Sequence, residues 1–228
     1  MISESASTVD GDRDVARLAR VTARAGTAPA ATGSLLPPGA DEGARRRFLE
    51  TALQLFGERG FHAVSVRDIT GAMGLQASSL YAHVPSKQHL LGELIRLGHE
   101  EHRDALRLAL LEAGSEPEEQ IGALTRAHVQ VHATYPLLTR VCNRELGSLP
   151  EDQRAPILAI RLDAERLFLD VIARGQRLGA FADTDPTLAV AAIGAMGMRV
   201  AEWWSPDVGM TAEHVADTYA SFAVKLLT

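Results

Sequence analysis

Between positions 65 and 90 the chain reads SVRDITGAMGLQASSLYAHVPSKQHL, and its polar side chains recur with a spacing that suits nucleic-acid recognition. Gln76, Ala77, Ser78, Ser79, Tyr81 and His83 fall on the outer faces of one short helix, while Leu80 turns inward. A glutamine pairs in two places with adenine, and a serine donates or accepts on either strand. Ser65, Arg67 and Lys87 sit at helix starts, where amides and positive charge hold phosphate. Arg46, inside a run of three arginines at 45–47, is placed to reach a neighbouring minor groove. Blander roles compete at several positions. The Tyr81 ring can pack inward and leave only its hydroxyl for phosphate. Ser65 caps a helix in any case, and Arg67 can be merely solvated.

The elements that must position these groups follow from local chemistry. Ser65, with Asp68 three residues on, makes a capping box that opens a helix carrying Val66, Ile69 and Met73 on one face. Gly74 supplies the left-handed turn. A second short helix runs over about 77–83 and is stopped by Pro85. Ser86 caps a long third helix to about Ala113, roughly 40 Å at about 1.5 Å per residue. Its expected apolar positions are Leu90, Leu94, Leu97, Ala105, Leu108 and Leu111. A short helix held on a partner by a tight turn, with small hydroxylated residues outward, suits the DNA major groove.

The 228 residues suffice for one or two domains, and 46% hydrophobic with 23% charged residues is a globular composition. The single cysteine, Cys142, excludes an internal disulfide framework and fits a reducing cytoplasm. No apolar run reaches a membrane span, since 188–198 is broken by Arg199, and no secretory signal is visible. A net charge of −6 argues at first against nucleic acid. The charge is unevenly spread, however. Residues 1–40 hold four basic and four acidic groups, residues 41–90 six and five, and the remainder thirteen and twenty. The acid lies away from the reading segment. Specific contacts must then matter more than a broad basic field.

Residues 1–40 are rich in Ala, Ser, Thr, Gly and Pro and read as a flexible tail, with a possible helix over 12–25 whose arginines recur at 13, 17, 20 and 24. The next 46 residues, 41–86, form the DNA-reading unit and begin with a helix from about Asp41 to Arg59. Residues 87–228 form the second domain. Its helices are expected from a Ser115–Glu118 capping box to about Thr134, from Pro136, from about Asp152 to Leu178, from Pro186 to about Trp204, and from Thr211 onward. The fold class is all-α. A metal-responsive protein using His128 and His132, one helical turn apart, is the first rival; His99, His102 and Cys142 are the other ligand types nearby in sequence. Catalysis is the second rival. No phosphate loop, nucleophile elbow or metalloprotease motif supports it, and no cofactor is expected.

Residues 48–91 resemble the TetR family of bacterial repressors. The resemblance rests on the RGF turn, the IT-x-x-x-G spacing and the LY-x-H-V-x-SK-x-x-LL ending. Gln76 and Ser78 depart from the Ser or Thr and the Gly common at those places, which alters the bases that can be read. The resemblance implies a nine-helix architecture, a three-helix DNA-binding domain, a larger ligand-binding domain and a homodimer on an operator. The segments YPLLTRVCNRELGSLP and GAMGMRVAEWWSPDVGMTAEHVADTYASF are similar to repressors of lipid or steroid catabolism that sense acyl-CoA thioesters.

On that layout an apolar cavity is expected, with Leu124, Val131, Leu138, Leu162, Phe168 and Ile172 as walls and Arg140, Asn143, Arg144 and Arg161 as polar groups for a phosphate or carboxylate. Arg161 has an alternative partner in Glu165. Trp203 flanks either the cavity mouth or the dimer seam. One short helix reads too few base pairs for useful specificity, so two-fold pairing is needed. The expected seam uses Ala189, Ala192, Ala195 and Met196 with Tyr219, Phe222 and Leu226; an internal core is the competing role for this stripe.

Overall fold

The computed structural model describes residues 5–24, 34–40 and 43–228. Among these it contains α-helices and two short 3-10 turns, and no strand. The helices are α1 (Ser5–Arg24), α2 (Gly43–Arg59), α3 (Val66–Ala72), α4 (Ala77–Tyr81), α5 (Lys87–Glu112), α6 (Pro117–Thr134), α7 (Pro136–Glu145), α8 (Glu151–Leu178), α9 (Pro186–Trp203) and α10 (Ala212–Leu227). Nine of them follow the expected order, and α1 precedes them.

Local signals explain most boundaries. Ser65 accepts from the Asp68 amide while the Asp68 carboxylate accepts from the Ser65 amide, closing the predicted box. Hydrogen bonding from Ser65 holds the Asp68 carboxyl below its usual range. Ser86, Asp185 and Thr211 cap α5, α9 and α10 through their side chains. Gly179 ends α8 in the left-handed region at φ 75°, where a side chain would be strained. The Ser115–Glu118 box is not formed. Pro117 opens α6 instead, and its fixed φ starts the helix one residue after Glu116 without a side-chain cap.

Three clusters make the core. The first joins Phe48, Phe56, Ile69, Leu80, Leu91 and Leu94 to Leu138 and Ile157, so α7 and the start of α8 share a core with the DNA-proximal helices. The second lies among α5, α6, α8, α9 and α10, and the third among α6, α9, α10 and the last 3-10 turn. The far end of α5 departs from expectation. Leu106 is fully buried there, whereas Leu108 and Leu111 are exposed.

The segment read as a flexible tail is not uniform. Residues 5–24 are helical and touch α9 and the last 3-10 turn. Leu36 and Ala40 are buried in the first core cluster. The reason is apolar area: burying a leucine side chain stabilises by about 1.5–3 kcal/mol, which offsets the ordering of a short proline-bearing segment.

Candidate functional site

At the DNA-proximal end, α3 and α4 are joined at Gly74, whose φ is 69°. The Leu75 amide closes the turn on the Thr70 carbonyl at 2.8 Å. Leu80 and Val84 anchor α4 below, at 0% and 1% exposure. Above them Gln76, Ser78 and Tyr81 are exposed, with Ala77 and Ser79 half-buried beside them. Tyr81 keeps 59% of its surface in solvent, so its ring does not pack inward. The helix stops at Tyr81, shorter than expected. His83 lies in the turn beyond, exposed, with its ring 5.6 Å from that of Phe48.

Three basic groups behave differently from one another. Arg67 is exposed on α3. Lys87 donates to the carbonyls of Phe61 at 2.8 Å and Val64 at 2.6 Å, and its ammonium stands 4.1 Å from the Phe61 ring centroid. Burial pushes its pKa down. The expected phosphate ligand is thus committed to fastening the α2–α3 connection, because carbonyls at that turn lack helical partners. Arg46 pairs with Glu50 at 2.9 Å and donates to Ser34 Oγ at 2.9 Å and the Leu36 carbonyl at 3.3 Å. It straps residues 34–36 onto α2. Its neighbour Arg47, which sequence reasoning passed over, is exposed and has no hydrogen bond or ion pair among the described residues.

A cavity of about 320 Å³ lies between α5, α6, α7, α8 and α9. Arg161, Asn143 and Phe168 line it, as the sequence suggested. Arg161 donates to Glu165 at 3.0 Å, and both side chains face the cavity. Arg140, Arg144 and Trp203 do not line it. On α7 the cavity face carries Thr139, Cys142 and Asn143; at about 100° per residue, positions 140 and 144 point elsewhere. Arg140 is buried, and burial, partly opposed by Glu202, lowers its pKa. Trp203 packs on the third core cluster. Of the six expected walls only Phe168 holds its place. Leu124, Val131, Leu138 and Ile172 are buried without lining the cavity, and Leu162 is half exposed.

Four histidines face the cavity instead: His99 and His102 from α5, His128 and His132 from α6. Ring centroids are 4.9 Å apart for His102 and His128 and 4.6 Å for His128 and His132. Burial holds His99 down to about 4 and His132 to about 3, and lowers His102 and His128 as well. Each pair was legible as a one-turn repeat; that the two pairs meet depends on the packing of α5 against α6. No group of three or more such residues among the described ones has the arrangement to hold a metal ion. Cys142 is buried against the same cavity, and burial pushes its thiol up to about 12.

On α9 and α10, Ala192, Ala195, Phe222 and Leu226 are exposed, the last two at 48% and 47%. Ala189 is buried and Met196 packs against the second core cluster, so both serve the interior of the subunit. Tyr219 is half-buried, 6.1 Å from the Phe222 ring.

A helix presented on a tight turn, and a largely apolar cavity between the helices that follow it, define a transcriptional regulator that binds DNA. Residues 48–94 match the family described as "Bacterial regulatory proteins, tetR family", and residues 114–227 match "Tetracyclin repressor-like, C-terminal domain". The chain belongs to the TetR family. It is 27% identical over 198 residues to the HTH-type transcriptional repressor KstR2 of Rhodococcus jostii, covering 83% of this chain and 96% of that protein. The solved ketosteroid transcriptional regulator KstR2 of Mycobacterium tuberculosis superposes with a TM-score of 0.76 at 25% identity, covering 83% and 97%. The TetR family regulator PfmR of Thermus thermophilus superposes with a TM-score of 0.71 at 31% identity, covering 78% and 97%. Among the described residues no helix is long and apolar enough to cross a membrane.

Proposed function

We propose that this chain is a cytoplasmic, homodimeric repressor that leaves a palindromic operator when a lipophilic small molecule fills the cavity. The observation that carries the reading is α5. One uninterrupted helix, Lys87–Glu112, fastens the DNA-reading turns through Lys87 and lines the cavity through His99 and His102. Residues 41–86 read DNA and 87–228 sense ligand and dimerise. Gln76, Ala77, Ser78, Ser79 and Tyr81 face base edges or phosphates. His83 and Ser65 lie at the margins of that surface. Arg67 and Arg47 hold phosphate, while Arg46 and Lys87 position the elements that carry them.

Exposed apolar groups on α9 and α10 support a dimer seam at Ala192, Ala195, Tyr219, Phe222 and Leu226. The name of the ketosteroid regulator supports a lipophilic effector, and Asn143 and Arg161 are the polar groups that would meet an anionic end such as an acyl-CoA phosphate. The output is binding rather than catalysis, a reading supported by membership in a family of regulators. A ligand that prefers wrongly spaced recognition helices weakens DNA binding by its differential affinity; about 1–3 kcal/mol gives about 5–150-fold release.

The test is selection of duplexes from a random pool by the purified full-length protein. The expected result is an enriched palindrome whose half-sites lie about 34–36 Å apart or a multiple of that. Enrichment of no sequence over random competitor overturns the reading.

A further inference from the structure

The hydrogen bonds of three of the four cavity histidines determine which ring nitrogen carries the proton. A backbone carbonyl only accepts, so His128 donates from Nε2 to the Gly194 carbonyl at 3.0 Å and keeps a lone pair on Nδ1. His102 then donates from Nε2 into that lone pair at 2.7 Å, which leaves its own Nδ1 bare. His132 donates from Nδ1 to the His128 carbonyl at 2.8 Å, leaving a lone pair on Nε2. His99 completes the group. It is 8% exposed, and its Nε2 has no partner among the described residues. A buried polar atom in this condition calls for an explanation, and an absent ligand supplies one.

We infer that the buried end of the effector is an uncharged hydroxyl, seated among His99, His102 and His132. A hydroxyl donates to an imidazole lone pair and accepts from an imidazole N–H at the same time. Other heads fit less well. A carboxylate at the histidines brings no proton to the lone pairs, and an anionic end of the effector belongs beside Asn143 and Arg161 instead. An ether or ketone only accepts. An ammonium would be buried with Glu165 as its only acidic neighbour, and that group is already paired with Arg161. Phe168, Leu169, Val190 and Met198 take the apolar body. The burial that keeps all four rings neutral is consistent with a neutral head. This inference rests on the cavity being the effector site.

Two isomeric probes, octan-1-ol and heptyl methyl ether, differ in whether the oxygen carries a proton. Their affinities for the full-length protein are read by displacement of an apolar fluorophore. We expect octan-1-ol to bind about tenfold more tightly, the worth of one good hydrogen bond. In His99→Leu the gap closes while the melting temperature holds or rises, because a partnerless buried nitrogen has been removed. If that variant does not fold, His132→Phe must narrow the same gap. Equal affinities in the parent protein, a gap that survives these substitutions, or failure of both probes to bind each overturn the inference. Operator selection without any probe reads the regulatory proposal separately. A protein that selects no operator yet tells the two probes apart keeps the hydroxyl site and loses the regulator.

Discussion

Lys87 illustrates how a residue type can be right and its job different. The sequence places a lysine in the first turn of a helix beside the reading segment, where phosphate contact is the natural expectation. The structure spends two of its protons on the Phe61 and Val64 carbonyls. Lys87→Met is therefore expected to lower stability by about 1–3 kcal/mol, since two part-buried acceptors lose a charged donor. Thermal melting checks this; an unchanged melting point with weakened operator binding would restore the phosphate role. The histidines make a second prediction. Their folded pKa values lie below the free value of 6.5, at about 4 for His99 and about 3 for His132. The neutral rings favour the fold, so stability is complete above pH 6.5 and is lost as pH falls toward those values. Each such ring contributes a slope of about 1.4 kcal/mol per pH unit through that window. Melting between about pH 7 and pH 5 should fall less steeply in His99→Leu than in the parent; equal slopes would mean His99 is hydrated in the fold. The outward placement of Gln76, Ser78 and Tyr81 was legible from spacing because a short helix has a simple inside and outside. The histidine cluster was not, because its members are contributed by two helices whose contact no local pattern encodes.

At the scale of elements, caps and prolines made the helices readable. Ser65, Ser86, Asp185 and Thr211 each mark a start with a side chain that satisfies a free amide. The misreadings have physical causes. Pro117 starts α6 without a side-chain cap, where a Ser–Glu pair suggested one. On α7, a shift of one residue changes the facing direction by about 100°, enough to separate Asn143 from Arg144. Composition marks the segment before α2 as a tail, and composition is blind to one well-placed leucine. Leu36 is 1% exposed and Arg46 bonds to both Ser34 and the Leu36 carbonyl. Removing residues 1–40 is thus expected to destabilise the protein by about 2–4 kcal/mol, combining a lost leucine with lost hydrogen bonds. Removing only 1–33 should leave that contact intact. Denaturant unfolding of the two truncations checks it, and equal midpoints would show that the strap contributes nothing.

For the molecule as a whole, the apolar groups left in solvent on α9 and α10 point to a partner. Phe222→Asp with Leu226→Asp places two charges on that face without touching Val215, Ala216 or Ala223, which are buried inside the subunit. The doubly substituted protein is expected to sediment as a folded monomer and to lose operator binding. A dimer of unchanged affinity would move the seam elsewhere. One further contact, at Gly197, bears on the whole molecule. A methyl group there would collide with the His128 ring, so α9 and α6 touch at the limit of what atoms allow. His128 in turn is tied to Gly194 one turn back on α9 and to His102 on α5. Three helices meet at a single imidazole, which faces the cavity on one side and is pressed against Gly197 on the other. A guest that displaces this ring by a fraction of an ångström has no soft side chain to absorb the shove. The movement must pass into the rods themselves, one of which begins beside the surface that would lie against the double helix.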